Sequence, residues 1–541
     1  MKSSIHWLIV FVCIVLMPSA NAQHYYIPLN REIMLRYEPS LYNLQSDAHT
    51  SFRPFMNKEI ERNAPFDSLN NEHVRDNKFN QSWLGRKLWK EHLFEIKGED
   101  FAINLDPAFE LTAIRDKHRD WIFINSRGLW LSGTIGERFS FSSSFYESLA
   151  RLPSHVDSFV QKTRVVPGGA RVKKLGSQFD YNVAYGTISY SLKKYFNFQF
   201  GNDKVFIGDG YRSLLFSDNS FPFPYFKITT NIWKVQYVNL YGVFQDMLVP
   251  HPKGYPIDDF SFRKKYGSFH YLDINIGKRA SIGVMEAIIW KSDSVRAQSI
   301  DINYINPIIF LRPQEYSLGS ADNALMGLNF KIKATGSITF YAQLLLDEFK
   351  LDEVKAGNGW WGNKQGFQTG VKYFNILGIK NLHLTSEYNY VRPYTYQHRG
   401  SLTAYGHYNQ PFAHPLGANF WEAVSILNYK YKRFAIRCEL MYAQIGYDLT
   451  DSLGNLVNYG NNVFLSYIDR VKEYGNETGQ GLKSKLLYNE ITVSYLVNPK
   501  YNFVIQAGAV SRIEKNDFYT NNSSYFYLGI KTLLTNRYFD F

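Results

Sequence analysis

The sequence predicts an all-β protein: a transmembrane antiparallel β-barrel of the outer-membrane kind, with about 18 strands, preceded by a small N-terminal helical segment on the periplasmic side. Three observations predict it. An export signal opens the chain, stretches of strand length alternate apolar with polar residues, and Phe, Trp and Tyr make up 17% of the 541 residues, with 40 Tyr and 41 Phe. Aromatic residues favour strands and gather at membrane interfaces.

In chain order, Lys2, the apolar run Trp7 to Met17 and the small-residue site Ala20-Asn21-Ala22 read as a cleaved secretory signal over residues 1–22. The run is shorter than the ~20 residues a spanning helix needs. Cys13 lies inside it and lacks the following Gly or Ser of a lipoprotein site. The mature chain then keeps one thiol, Cys438, which excludes a disulfide scaffold and a cysteine zinc site.

Residues 23–100 lack alternation and are dense in charge, so they read as a helical cap or plug. A helix is predicted over Asn30 to Tyr37, ended by Pro39, and another in NQSWLGRKLWKEHLFEI, where Leu84 and Leu88, and Trp89 and Leu93, stand four apart.

Residues 101–541 form the predicted barrel. In SITFYAQLLLD, Ile338, Phe340, Ala342, Leu344 and Leu346 share one face; in NLHLTSEYNYV, Leu382, Leu384 and Tyr388 oppose His383, Thr385, Glu387 and Asn389. FAIRCELMY puts Cys438 on the apolar face of Phe434, Ile436 and Leu440, which is expected to meet lipid. A soluble sandwich also alternates; the export signal, the aromatic load and a last strand closing on Phe541 favour the barrel, because only a closed barrel satisfies strand backbones in lipid. About 440 residues follow Asp100, and a strand with its connection takes ~20–25 residues. That gives about 18 strands, with 16 and 20 as neighbouring counts. The basic stretch 151–177 interrupts the alternation as a loop or short helix, inside the lumen or outside it.

One stretch breaks the pattern: NPIIFLRPQEYSLGSADNALMGL, residues 306–328. Pro307 is expected to end a strand, Pro313 to hold Arg312 extended, and Gly319 to Asn323 to form a turn. Similar grammar recurs at Arg212 with Asp218 and Asn219, and at Arg392 with Tyr394, Tyr396 and His398. Two readings stand beside a merely loop-shaping one. Either Arg212, Arg312 and Arg392 pair with Glu286, Glu315 or Glu387 in a lumen network, or these segments, with Asp322 and Asn323, contact sugar. Forked Arg donors suit carboxylated sugars. The three segments are expected to converge. Trp360 and Trp361, on a Gly-rich loop, read equally as a saccharide platform or as interface aromatics. Glu286 shares the face of Ile282, Val284, Ile288 and Trp290; a carboxylate facing lipid is costly, so that face should point inward or Glu286 should have a cationic partner such as Arg312.

No nucleophile elbow, HExxH or metal-spaced histidine set occurs among the 13 His, so neither an enzyme nor a metal or cofactor site is expected. The net charge of +12 points to acidic partners such as charged polysaccharide or lipid headgroups, with no nucleic-acid signature. A diffusion porin is the rival class.

Three segments carry a resemblance: GNDKVFIGDGYRSLLFSDNSFPFPYFKI (201–228), the 306–328 stretch, and YVRPYTYQHRGSLTAYGHYNQPFAHPLGANF (390–420). Together they resemble the Wzi family of capsule-assembly outer-membrane proteins. The ending LLTNRYFDF is similar to that family's Bacteroidetes branch of RemB-like gliding-motility proteins. The resemblance implies an 18-stranded barrel with a periplasmic helical cap that anchors or helps assemble surface polysaccharide. For the gliding branch it implies a role in surface assembly and motility with secretion or gliding machinery.

Overall fold

The computed structural model describes residues 25–64, 78–117, 119–247, 262–291, 302–311 and 322–541. The export signal, Arg312 and Glu315 lie outside them.

Eighteen antiparallel strands close on themselves. They are β1 (Phe101–Pro107 continued by Glu110–Asp116), β2 (Trp121–Ile135), β3 (Phe139–Ala150), β4 (Gln178–Leu192), β5 (Phe196–Asp203), β6 (Phe223–Ile232), β7 (Val235–Asp246), β8 (Arg263–Ile276) and β9 (Ala280–Lys291). They continue with β10 (Asn323–Lys333), β11 (Ile338–Glu348), β12 (Lys364–Phe374), β13 (Leu382–Val391), β14 (Phe420–Tyr431), β15 (Phe434–Tyr447), β16 (Leu482–Asn498), β17 (Phe503–Lys515) and β18 (Thr520–Thr532). Each pairs with its sequence neighbour, and β18 closes the ring on β1, from Tyr525 opposite Asp116 to Lys531 opposite Glu110. Closure pairs the eighteen strands around the ring, the lower half of β1 being met by the short strand Phe94–Lys97.

The period-two pattern sorts the side chains as expected. On β15 Phe434, Ile436 and Leu440 are exposed on the outside, and Cys438 shares that face. On β11 Tyr341, Gln343 and Leu345 are buried inward while Phe340 faces out. Short turns such as 277–279 and 432–433 alternate with long connections such as 204–222 and 392–419. In an outer membrane the short turns face the periplasm and the long loops the exterior. Both β1 and β18 have their free ends on the short-turn side.

Among the described residues, five segments fill the lumen. The first is residues 25–64, with helices α1 (Arg31–Leu35), α2 (Glu38–Leu41) and α3 (Asn57–Glu61). Asn30 caps α1 by accepting from the Glu32 and Ile33 amides. Pro39 does not end a helix over Asn30 to Tyr37; it sits in the first turn of α2, where its missing N–H costs nothing. Ile33, Tyr37, Leu41, Tyr42, Phe55 and Ile60 make a small core of their own, and inward lysines of the wall grip it. Lys372 pairs with Glu38 at 2.6 Å, Lys331 donates to Thr50 at 2.5 Å, and Lys333 donates to the Asn43 and Ser46 carbonyls.

Outside the lumen follow α4 (Lys78–Gln81) and α5 (Trp83–Trp89), then a short strand, Phe94–Lys97, paired with the lower half of β1. The expected second helix is therefore confined to its first half: it ends at Lys90, and Leu93 is not part of it. The other lumenal segments are α6 (Ser154–Thr163), the loops 204–222 and 392–419, and the C-terminal tail 533–541. The interruption at 151–177 thus folds inward, with Val156 and Val160 of α6 in the main core.

The tail overturns one expectation. Phe541 does not end the last strand: β18 stops at Thr532, and the chain turns into the lumen. There the Phe541 carbonyl accepts from Arg512 Nε at 2.7 Å, and its ring packs on Phe159 with centroids 4.8 Å apart.

Candidate functional site

The lumenal polar centre is built around Arg212. Gly210 precedes it because nothing larger fits: a Cβ there would lie 2.2 Å from Glu387 Oε2. The Tyr211 and Arg212 amides both donate to Glu387, whose Oε2 also accepts from Tyr341 at 2.8 Å. The guanidinium of Arg212, 1% exposed, forks between Glu422 (Nη2–Oε1 2.9 Å) and Asp540 (Nη2–Oδ2 2.8 Å). His414 Nε2 lies 2.9 Å from Glu422, and Tyr211 donates to Asp540 at 2.8 Å. Arg31 of the plug sits between the Tyr211 and Tyr538 rings, 4.0 and 4.2 Å from their centroids. Plug, loop and tail therefore meet at one polar knot.

Electrostatics agree with a closed interior. Burial works to raise the Asp540 carboxyl, but Arg212 overrides it and holds it below the usual range. Burial pushes His155, His398 and His407 down to about 3, so these rings stand neutral inside. Burial lowers Lys204 to about 8 while its ammonium donates to the Gly168 and Asp218 carbonyls.

The predicted site residues fall in different places. Asp218 accepts from Tyr538 at 2.6 Å and from Asn536 at 2.7 Å, and Asn219 donates to the Pro411 carbonyl; both lock tail and loops together. Tyr394 and Tyr396 are fully buried, with hydroxyls donating to the Asn458 and Leu214 carbonyls. His398 is buried against Thr403, and Asn323 donates to the Thr403 carbonyl at 2.9 Å. Asp322 accepts from Tyr304.

Arg392 does not join the knot. Its side chain donates to the Trp360 carbonyl at 3.3 Å, but the three segments do meet: Tyr396 donates to the Leu214 carbonyl, Asn219 to the Pro411 carbonyl and Asn323 to the Thr403 carbonyl. The two guanidiniums themselves have separate partners. Of the carboxylates expected to pair with Arg212, Glu387 binds only its backbone amide. The partners used are Glu422, at the start of β14, and Asp540, which the sequence places in a closing strand but the fold carries into the lumen.

Trp360 and Trp361 form a clasp between the 349–363 connection and the long loop 448–481. Both indoles donate to Glu473 Oε1, at 3.0 and 2.9 Å. Trp361 is faced by Tyr467 at 4.8 Å and by the Arg470 guanidinium at 4.4 Å. Around this half-exposed clasp Ile468 and Tyr474 stand free on the long-loop side.

Glu286 faces neither the lumen nor a cation in the described residues. Met285, Ala287 and Ile289 of β9 point into the core, so Glu286 points outward, and it accepts from the Phe310 amide at 2.9 Å. Residues 302–311 lie as a strap over the outer wall of β7–β9. Tyr241 and Tyr237 donate to the Ile305 and Pro307 carbonyls, at 2.9 and 2.5 Å, and Tyr304 packs on Trp290 at 4.9 Å. Beneath it Asn239, His270 and Ser268 satisfy one another. Pro307 thus ends no strand; β9 already stops at Lys291. The strap supplies the hydrogen bond that an outward carboxylate needs.

A cavity of about 280 Å³ remains between plug, tail and wall, lined among others by Arg31, Tyr211, Arg437, Glu490, Tyr527 and Arg537. Among the described residues no three potential metal ligands come together.

No protein-family model and no curated protein sequence matches the chain. Solved structures do. The chain is similar to Wzi of Escherichia coli, described as an outer-membrane protein involved in group 1 capsule assembly and a carbohydrate-binding β-barrel, with TM-score 0.55 and 15% identity over 94% of this chain and 100% of that one. Looser matches are OprD of Pseudomonas aeruginosa (TM-score 0.41, 12% identity, 82% and 98% covered) and OpdK of the same organism (0.42, 9%, 80% and 98%). At these identities the likeness is one of fold, and the fold is that of an outer-membrane β-barrel.

Proposed function

We propose that this protein holds or helps assemble surface polysaccharide on its long-loop face and is neither an open pore nor an enzyme. The observation that carries the reading is the filled lumen. An empty barrel of 16–18 strands encloses an aqueous channel, whereas here Arg212, Glu422 and Asp540 join loop, wall and tail, His414 adds the second loop, Arg31 the plug, and His155 and Phe159 of α6 hold the tail. With the interior committed to packing, recognition falls to the exposed loop face. The Trp360–Trp361 clasp and Tyr474 there supply aromatic faces suited to sugar rings, while the Arg470 guanidinium is held by Glu473 and the Tyr467 carbonyl and stiffens the clasp. The likeness of fold to a carbohydrate-binding barrel supports the same direction. The exported chain would sit in the outer membrane, with lipid around its wall.

A role in gliding or secretion machinery, as the RemB-like branch implies, is the second reading. Against it, the motif that carries that likeness, residues 533–541, is spent inside the lumen with Asp540, Tyr538 and Phe541 as its contacts. The reading predicts no stable large conductance in planar bilayers and loss of surface glycan from cells lacking the gene. A large open pore would refute it, and intact glycan with lost surface spreading would turn it to the gliding role.

A further inference from the structure

The N-terminal segment leaves the lumen and passes along the outside of the barrel. Arg433, in the turn between β14 and β15, donates to the Trp89 carbonyl at 3.1 Å. Asn498, at the end of β16, donates to the Lys87 and Glu91 carbonyls at 2.9 Å each. The Trp89 indole meets Tyr495 edge-on at 6.1 Å, and Tyr495 packs on Phe434 at 4.8 Å. Phe434 belongs to the outward face of β15, so α5 is moored to the outer side of the periplasmic rim.

Its other side is apolar and open. Trp83 is 60% and Leu84 59% exposed, and the adjoining short strand exposes Phe94 at 58% and Ile96 at 61%. Phe94 lies opposite Leu105 and Ile96 opposite Ile103, so both continue the outward face of β1. Tyr431 and Ile436 carry the same exposed band on the far side of α5.

We propose that α5 and Phe94–Lys97 form an interfacial anchor, which beds Trp83, Leu84, Phe94 and Ile96 into the headgroup region of the periplasmic leaflet. The occupant follows from continuity: these side chains extend the lipid-facing wall at its lower rim, where indole rings settle with one edge in water and the body in lipid. A helix lying in that plane needs only one apolar side, and its inner side is taken by Arg433, Asn498 and Tyr495. The anchor fixes the point where the chain passes from plug to wall, so that the plug is held from outside as well as from within.

The test labels Leu84→Cys, in a Cys438→Ser background, with an environment-sensitive fluorophore in full-length protein reconstituted in phosphatidylethanolamine–phosphatidylglycerol vesicles. The expected result is a blue-shifted emission, quenched severalfold more by lipids brominated near the glycerol end than by aqueous iodide. A control label at Leu453, on the exposed long-loop side, should show the reverse. Phe94→Cys gives the same readout independently if Leu84→Cys fails to fold, as judged by heat-modifiable gel migration. Strong iodide quenching at both positions overturns the proposal, and so does protection from both quenchers, which would place protein rather than lipid on this face.

Discussion

At the scale of single residues, the lumen knot depends on charges that have no water to fall back on. Arg212, Glu422 and Asp540 are all buried, and their attraction offsets desolvation only while each partner is present. Arg212→Ala should leave two carboxylates uncompensated and lower stability by ~3–5 kcal/mol, read as a fall in the temperature at which the folded band is lost on unboiled gels. Replacing Arg212 by Lys should recover only part, because a point charge cannot fork between both carboxylates. An unchanged transition would mean that the knot is filler. Asp540 was not legible from its surroundings in sequence, since it stands in a short aromatic run that scans as a strand; Arg212 was, beside the glycine-fixed turn at Gly210, and Glu387 was, on the polar face of an alternating strand.

Among the elements, the strap 302–311 shows how an outward carboxylate survives on a membrane wall. Glu286 takes the Phe310 amide, and Tyr237 and Tyr241 take two carbonyls. Irregular backbone at such a depth must have its polar groups met by protein. Glu286→Leu removes one acceptor and should cost ~1–3 kcal/mol in local stability, seen as faster hydrogen exchange across 302–311 with the wall strands unchanged. Glu286→Gln, which keeps an acceptor oxygen, should behave nearly as the parent. Equal exchange in all three proteins would remove the strap's dependence on this residue. The odd composition of 306–328 sets its start apart from a strand, while Asn323 to Leu328 already belong to β10; that residues 306–311 lie outside the wall depends on Tyr237 and Tyr241, some 70 positions away.

For the whole molecule, the tail joins closure to plugging. The wall is complete at Thr532, yet the nine residues beyond it hold Arg212, Asp218 and Arg512. Deleting 536–541 should spare the barrel wall, seen as retained strand content by circular dichroism, while releasing the plug and raising single-channel conductance from near zero to a measurable value. Loss of the wall itself would mean that the terminal residues are needed to close it.

The sequence by itself determined the wall: strand period, inward and outward faces, the outward Cys438 and a count of about 18 follow from alternation, because a pleated strand in a membrane has one face for lipid and one for the lumen. It also set apart 23–100, 151–177 and the start of 306–328 through lost alternation, although Asn323 to Leu328 of the last stretch open β10 and Phe94–Lys97 pairs with β1. Only the tertiary structure decided where those segments go. The tail entered the lumen, the strap lay outside, α5 moored to the rim, and Arg392 turned to the Trp360 clasp instead of the Arg212 knot. Each outcome rests on partners far apart in sequence, such as Arg212 and Asp540 or Glu286 and Phe310. Local periodicity reports which side of a strand a residue occupies, not which distant group will satisfy its charge or its hydrogen bond.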